Sequence, residues 1–119
     1  MVSVKENALE ALDGRAFPRS IVWLIATSNQ VAAVRNADLL GGVRKCMLSH
    51  NRLDTAALEE LLEGIPELEM LRAACNRAAT VPRNLASHAH LAWIALGGNP
   101  CSDAQLDSRL AGAEAAEAV

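Results

Sequence analysis

Apolar and polar positions alternate in five short segments of this chain, and each segment is followed by an asparagine. In residues 21–31, apolar side chains stand five and three positions before Asn29 and two positions after it. The same frame surrounds four other asparagines at intervals of 22 to 25 residues: Asn7, Asn51, Asn76 and Asn99. Because successive side chains of a strand point to opposite faces, each segment predicts a short strand with one buried face.

Each asparagine is expected to turn the chain at the end of its strand. Its amide offers donors and an acceptor, so it can bind backbone groups of its own segment and of the neighbouring one. Because the asparagines recur in phase, they predict a buried polar ladder rather than isolated turn residues. The predicted members of this ladder are Asn7, Asn29, Asn51, Asn76 and Asn99.

The frame resembles the leucine-rich repeat, whose signature is L-x-x-L-x-L-x-x-N-x-L at a period of roughly 20–29 residues. The resemblance covers residues 2–101. It implies an α/β solenoid of about five repeats, with a curved parallel β-sheet on the concave side and short helices or irregular arcs on the convex side. Several leucine positions carry smaller apolar side chains, which predict a thinner core and not another fold: Ala26, Cys46, Ala73, Ala78 and Cys101.

The segments that connect the strands differ from one another. Residues 55–63 are rich in helix formers, with leucines on one face. They predict a helix that Asp54 or Thr55 caps and that stops after Gly64. The other connections are predicted to be less regular: a loop at 13–18, one helical turn within 32–42 and an irregular arc at 79–90.

The length predicts one domain, and the place where the pattern stops divides it into two regions. Residues 1–101 form the repeat array, whose first repeat is incomplete. Its uncapped N-terminal edge is expected to self-associate or to be covered by a partner. Residues 102–119 begin with a capping-box pattern, so we expect a C-terminal capping helix followed by a frayed tail rich in Ala and Glu.

Composition limits the partners that we expect. The 119 residues include 11 basic and 14 acidic side chains, a net charge of −3, which gives no electrostatic drive towards nucleic acid or an anionic membrane. No apolar stretch approaches the ~20 residues of a membrane span. The three cysteines are an odd number, and no secretory signal pattern is visible, so the sequence predicts a reduced, cytoplasmic protein.

Strand residues between the inward positions are predicted to face the concave side. The positions six and four before the asparagines supply the predicted partner-binding residues: Trp23, Ile25, Lys45, Met47, Met70, Arg72 and Trp93. Trp and Arg are enriched in binding hot spots, and Met adapts to apolar partners. These side chains predict a protein or peptide site. The alternative is that Trp23 and Trp93 are covered by the chain itself.

No arrangement of residues in the sequence predicts catalysis. His50, His88, His90 and the cysteines lack a metal-ligand spacing such as Cys-x-x-Cys, so no metal and no cofactor are predicted. His50 and Cys75 occupy the same position in adjacent repeats, but spacing identifies no carboxylate that would orient the histidine. The sequence therefore predicts a protein that is not an enzyme.

Residues 67–76 and 91–100 also resemble the last repeats of leucine-rich-repeat proteins that carry a protein kinase domain. The kinase motifs themselves are missing from this sequence: the Gly-rich loop, the catalytic loop and the metal-binding D-F-G. We therefore expect a non-catalytic module that binds a protein or peptide on its concave face. The alternative is a regulatory or targeting fragment that acts with a separate enzyme, a protein kinase being the one that the resemblance suggests.

Overall fold

A five-stranded parallel sheet is the main element of the structure. The computed structural model describes residues 1–101. Within them lie seven short strands: β1 (Val2–Ser3), β2 (Ala11–Asp13), β3 (Trp23–Ile25), β4 (Ala33–Arg35), β5 (Lys45–Met47), β6 (Met70–Arg72) and β7 (Trp93–Ala95). The large sheet has the strand order β1–β3–β5–β6–β7, and all its neighbouring strands are parallel. The prediction of a mixed α/β fold with a parallel sheet is confirmed.

The register of the large sheet follows the asparagine spacing. Residues at equal distances before successive asparagines pair across the strands, so Leu24 lies beside Cys46, and Leu71 lies between Cys46 and Ile94. These four side chains are buried in the core. Because side chains alternate along a strand, the residues before and after them lie on the opposite face of the sheet.

The other side of the core is covered by elements that differ between segments. Strands β2 and β4 form a separate two-stranded parallel sheet, in which Leu12 lies beside Val34. Two 3₁₀ helices follow these strands, at Gly14–Ala16 and Ala37–Leu40. One α-helix, α1 (Thr55–Gly64), packs against the second 3₁₀ helix and β4. Apolar side chains of α1 fill the core beneath it: Ala57, Leu58, Leu61 and Leu62.

Four asparagines of the predicted ladder are buried between neighbouring segments: Asn29, Asn51, Asn76 and Asn99. Asn76 illustrates their bonding. Its Nδ2 donates to the Leu48 carbonyl of the preceding segment at 2.9 Å and to the Ala73 carbonyl of its own segment at 3.0 Å. Its Oδ1 accepts from the Leu53 N–H at 3.0 Å. The other three make the corresponding bonds, so each amide joins two consecutive segments.

Asn7 differs from these four because it is exposed. Its Nδ2 donates to the carbonyls of Val4 at 2.9 Å and Lys5 at 3.3 Å, both in its own segment. Strand β1 is the outermost strand of the sheet, so no strand within residues 1–101 lies beyond it for Asn7 to reach. The ladder was predicted to include Asn7 as a buried member, and in this respect the structure differs from the prediction.

The residue before each asparagine has a left-handed backbone conformation. The φ angle is 60° at Glu6, Ser28 and His50, 57° at Cys75 and 77° at Gly98. Left-handed backbone costs a non-glycine residue about 1–2 kcal/mol. The first four residues also donate a backbone hydrogen bond to the next segment, at 2.8 to 3.0 Å. These bonds continue the sheet pairing past the strand ends and hold the turns in place.

The connections agree with the sequence analysis only in part. Helix α1 is confirmed, with the Asp54 carboxylate accepting from the Ala57 N–H at 2.8 Å. The helical turn within 32–42 and the irregular arc at 79–90 are also confirmed. Strands β2 and β4 were not predicted, and the predicted loop at 13–18 contains a 3₁₀ helix. These two strands lie outside the asparagine frame, which identified the other three-residue strands. The predicted capping helix and tail at 102–119 lie outside the described residues.

Candidate protein-interaction face

Two rows of side chains cross the face of the large sheet that points away from the core, which we call the open face. The first row is Trp23, Lys45, Met70 and Trp93, and the second is Ile25, Met47, Arg72 and Ala95. The structure therefore brings all seven predicted partner-binding residues onto one surface. Lys45 and Arg72 are exposed, the other five are half-buried, and Ala95 is buried.

At one end of the open face, Lys45 covers part of Trp23. Its Nζ lies 5.1 Å from the centroid of the indole ring, within the ~6 Å range of a cation–π interaction. The sheet register places the two residues side by side on β3 and β5. The indole Nε1–H is buried, and no acceptor within residues 1–101 reaches it. A buried donor without a partner costs about 1–3 kcal/mol.

At the other end, Arg72 covers part of Trp93. The central guanidinium carbon lies 5.0 Å from the ring centroid. Arg72 reaches the ring diagonally, because it pairs with Ala95 while Trp93 pairs with Met70. The alternative that the chain itself covers the tryptophans therefore holds in part. Each indole has a cation over its ring and remains partly accessible.

At the centre of the open face, two cationic side chains alternate with two methionine side chains. Lys45 and Met47 are the ends of β5, and Met70 and Arg72 are the ends of β6. Pairing joins Lys45 to Met70 and Met47 to Arg72, so the two cations occupy one diagonal and the two methionines the other. Unbranched thioethers adapt to irregular apolar surfaces. The centre of the face can therefore accept an apolar side chain between two positive charges.

The two rows contain basic residues and no acidic ones. Within residues 1–101, neither Lys45 nor Arg72 forms an ion pair with a carboxylate. One position earlier in the segments, Arg44 lies 3.5 Å from Glu69, so these two charges balance at the rim. The open face is thus positive on a chain whose net charge is −3.

Val22 is a further exposed apolar residue that the sequence analysis did not assign to the site. It precedes Trp23 and its exposure is 49%. Its position in the segment is the one that Arg44 and Glu69 occupy later in the chain. Its apolar side chain, at a position that is charged in the next two segments and holds Ala92 in the last, is the signal that could have identified it.

Two of the three histidines considered for metal binding, His88 and His90, lie next to polar atoms of the preceding segment, and His50 lies at the turn before Asn51. Nε2 of His88 lies 2.9 Å from the Ile65 carbonyl oxygen, which ties the 79–90 arc to the end of α1. Nε2 of His90 lies 3.4 Å from the Glu67 carboxylate. In the part of the chain that the structure describes, no group of three or more His, Cys, Asp and Glu side chains could hold a metal ion.

The cysteines are free and lie in two kinds of surroundings. Cys46 and Cys101 are buried in the core, and burial raises the pKa of the Cys46 thiol to about 12. Burial also raises the pKa of Cys101. Cys75 is exposed at the left-handed turn position before Asn76. The two core thiols therefore pack as small apolar groups.

Comparison of the sequence with models of known protein families finds no match, and comparison with curated proteins finds none either. Within residues 1–101, no helix is both long enough and apolar enough to cross a membrane.

Proposed function

We propose that this chain is a leucine-rich repeat solenoid that acts as a non-catalytic protein-interaction module. Its open face is the concave surface, and the ligand is a protein or a peptide. Three features support the solenoid: the asparagine intervals, the parallel strands in register, and the amides that join consecutive segments. In this arrangement every segment contributes a strand to a continuous surface.

One observation carries the binding function: two tryptophans, two methionines and two cations share a face that no other described element covers. Trp, Met and Arg are enriched in protein interfaces, and Trp and Arg are enriched among hot spots. These three residue types are less common on the rest of the protein surface, where Lys, Glu and Ser are commoner, so Lys45 adds no support of this kind. Large half-buried apolar side chains contribute most when a partner excludes water from them.

Recovery of partners from a cell extract tests the proposal, with the full chain as bait. The Trp23→Ala/Trp93→Ala variant is expected to reduce recovery of a specific partner by about tenfold or more, because hot-spot truncation costs ~2 kcal/mol per residue. Arg35→Ala/Arg77→Ala changes two exposed residues outside the two rows and is the matched control. It should leave recovery unchanged.

Thermal unfolding of each variant shows whether a loss of binding reflects a loss of structure. Met70→Glu is a second variant that keeps both tryptophans and places a charge at the centre of the face. Unchanged recovery with folded Trp23→Ala/Trp93→Ala protein and with Met70→Glu protein would overturn the proposal. A kinase activity that co-purifies with the chain, and that the isolated chain lacks, would instead favour the regulatory or targeting fragment.

A further inference from the structure

We propose that the partner segment is acidic and apolar: a peptide stretch with two carboxylates close together and apolar side chains beside them. This inference rests on the proposed function and concerns the same face. The starting observation is the absence of carboxylates from the two rows, combined with the exposed cations Lys45 and Arg72 at their centre.

The separation of the two cations sets the spacing of the carboxylates. Lys45 and Arg72 lie on adjacent strands and differ by two positions in register. With about 4.8 Å between strands and about 6.6 Å for two residues along a strand, their Cα atoms are about 8 Å apart. In an extended peptide, residues two positions apart point the same way and are separated by about 6.6 Å. Lys45 leans towards Trp23 on β3 and Arg72 leans towards Trp93 on β7, so the two charged groups lie at least as far apart as the Cα atoms. Acidic residues two to four positions apart in an extended peptide, about 6.6 to 13 Å, would meet both cations.

The contacts of the two cations with the tryptophans leave both cations available to a carboxylate. Each cation is held over an indole ring, at 5.1 Å for Lys45 and 5.0 Å for Arg72. A cation that lies over a ring still has N–H donors to offer to a carboxylate, and both lack an acidic partner within residues 1–101. A bound carboxylate would therefore not have to displace an existing ion pair.

The apolar residues favour a peptide over a polyanion. Met47 and Met70 occupy the diagonal that crosses the one between the cations, and Ile25 lies on the same face of β3 as Trp23. A nucleic acid would need a row of phosphate contacts, whereas this face offers two cations on a chain of net charge −3. An alternation of carboxylates with Leu, Phe or Ile side chains matches both kinds of group on the face.

The test is selection of a random dodecapeptide display library on the immobilised full chain at moderate ionic strength. We expect the selected peptides to be enriched in pairs of Asp or Glu with apolar neighbours. Synthetic peptides of the selected sequences should bind about tenfold more weakly to Lys45→Glu/Arg72→Glu, and more weakly as salt is added. Exchange of the peptide carboxylates for lysines should restore binding to that variant.

Arg35→Glu/Arg52→Glu is the control, because it makes the same change in net charge at exposed positions outside the two rows. It should bind the selected peptides as the unchanged chain does. Neutral or basic peptides that still require Trp23 and Trp93 would overturn the acidic partner and leave the proposed function standing. Peptides that require neither tryptophan would overturn both. Equal binding of single-stranded DNA, competing with the peptides, would also overturn the inference.

Discussion

The strand side of the molecule and the side opposite to it are held together by different interactions. On the strand side, backbone hydrogen bonds and buried asparagine amides join the segments in one pattern that recurs four times. On the opposite side the connections take three different forms: a strand with a 3₁₀ helix in the first two, α1 in the third and an irregular arc in the fourth.

This difference explains which parts of the chain can vary. Hydrogen bonds to backbone groups fix the strand side whatever the neighbouring side chains are, so Ala26 and Ala73 can replace larger core residues there. The opposite side depends on apolar packing, which is non-directional and permits several solutions. The strand side therefore presents ordered rows of side chains, and these rows form the open face.

Loss of an interior asparagine is expected to have the largest effect on stability. Asn76→Ala removes the acceptor of the buried Leu53 N–H and a donor to the Leu48 carbonyl. We expect the free energy of unfolding, measured by urea denaturation, to fall by about 2–5 kcal/mol. Asn7→Ala is the matched change at an exposed asparagine and should cost no more than about 0.5 kcal/mol. Equal losses for the two variants would refute the role assigned to the amides.

A substitution that crowds the packing of the side opposite the strands is expected to have an intermediate effect on stability. A Cβ added at Gly64, the last residue of α1, would lie 2.8 Å from the backbone carbonyl carbon of Ala37. Gly64→Ala is expected to destabilise by about 1–3 kcal/mol through overpacking, less a gain of up to ~1 kcal/mol in helix propensity.

Gly97 supplies the control for this substitution on the strand side. A Cβ there would meet nothing within 4 Å, so Gly97→Ala should leave the urea midpoint nearly unchanged. If Gly64→Ala proves as stable as Gly97→Ala, the close contact between α1 and the second 3₁₀ helix is not a constraint on the fold.

The smallest predicted effect is the dependence of stability on pH that Asp13, in the β2–β4 sheet, contributes. The Asp13 carboxylate accepts hydrogen bonds from the Arg15 side chain and backbone and from Asn36 Nδ2, and these bonds hold its pKa well below 3.8. Because the pKa of this carboxyl is lower in the folded chain than in the unfolded chain, its ionised form stabilises the fold at pH values above 3.8. That contribution is lost as the pH falls below 3.8. Solvent exposure keeps the contribution small.

Asp13→Asn isolates this contribution. The difference in unfolding free energy between the unchanged chain and Asp13→Asn should be largest near neutral pH and should shrink as the pH falls below 3.8. A difference in unfolding free energy that stays constant down to strongly acidic pH would show that the pKa of Asp13 is the same in the folded and the unfolded chain.

The asparagine register accounts for most of what could be predicted from the sequence. It gives the strand partners of Leu24 and Leu71 and the two rows of the open face, because a fixed spacing forces equivalent residues into register. Strands β2 and β4, centred on Leu12 and Val34, were not predicted because they lie outside the asparagine frame that identified the other three-residue strands. Their shared position, five residues after Asn7 and Asn29, is a signal that only the pairing makes visible.

The cation–π contacts could not be predicted from spacing. Register places Lys45 beside Trp23, but the diagonal contact of Arg72 with Trp93 depends on side-chain torsions that the sequence does not encode directly. The exposure of Asn7 likewise depends on the position of β1 at the edge of the sheet, and not on the local sequence, which matches the other four segments.

Site-specific photo-crosslinking tests most directly whether the open face binds a partner. A photoreactive residue is placed in the full chain either at Met70, at the centre of the open face, or at Arg35, an exposed position in the second sheet. We predict a crosslinked partner from position 70, lost when Trp23→Ala/Trp93→Ala is added, and no product from position 35. A partner that crosslinks from position 35, or equally from both positions, would contradict the account.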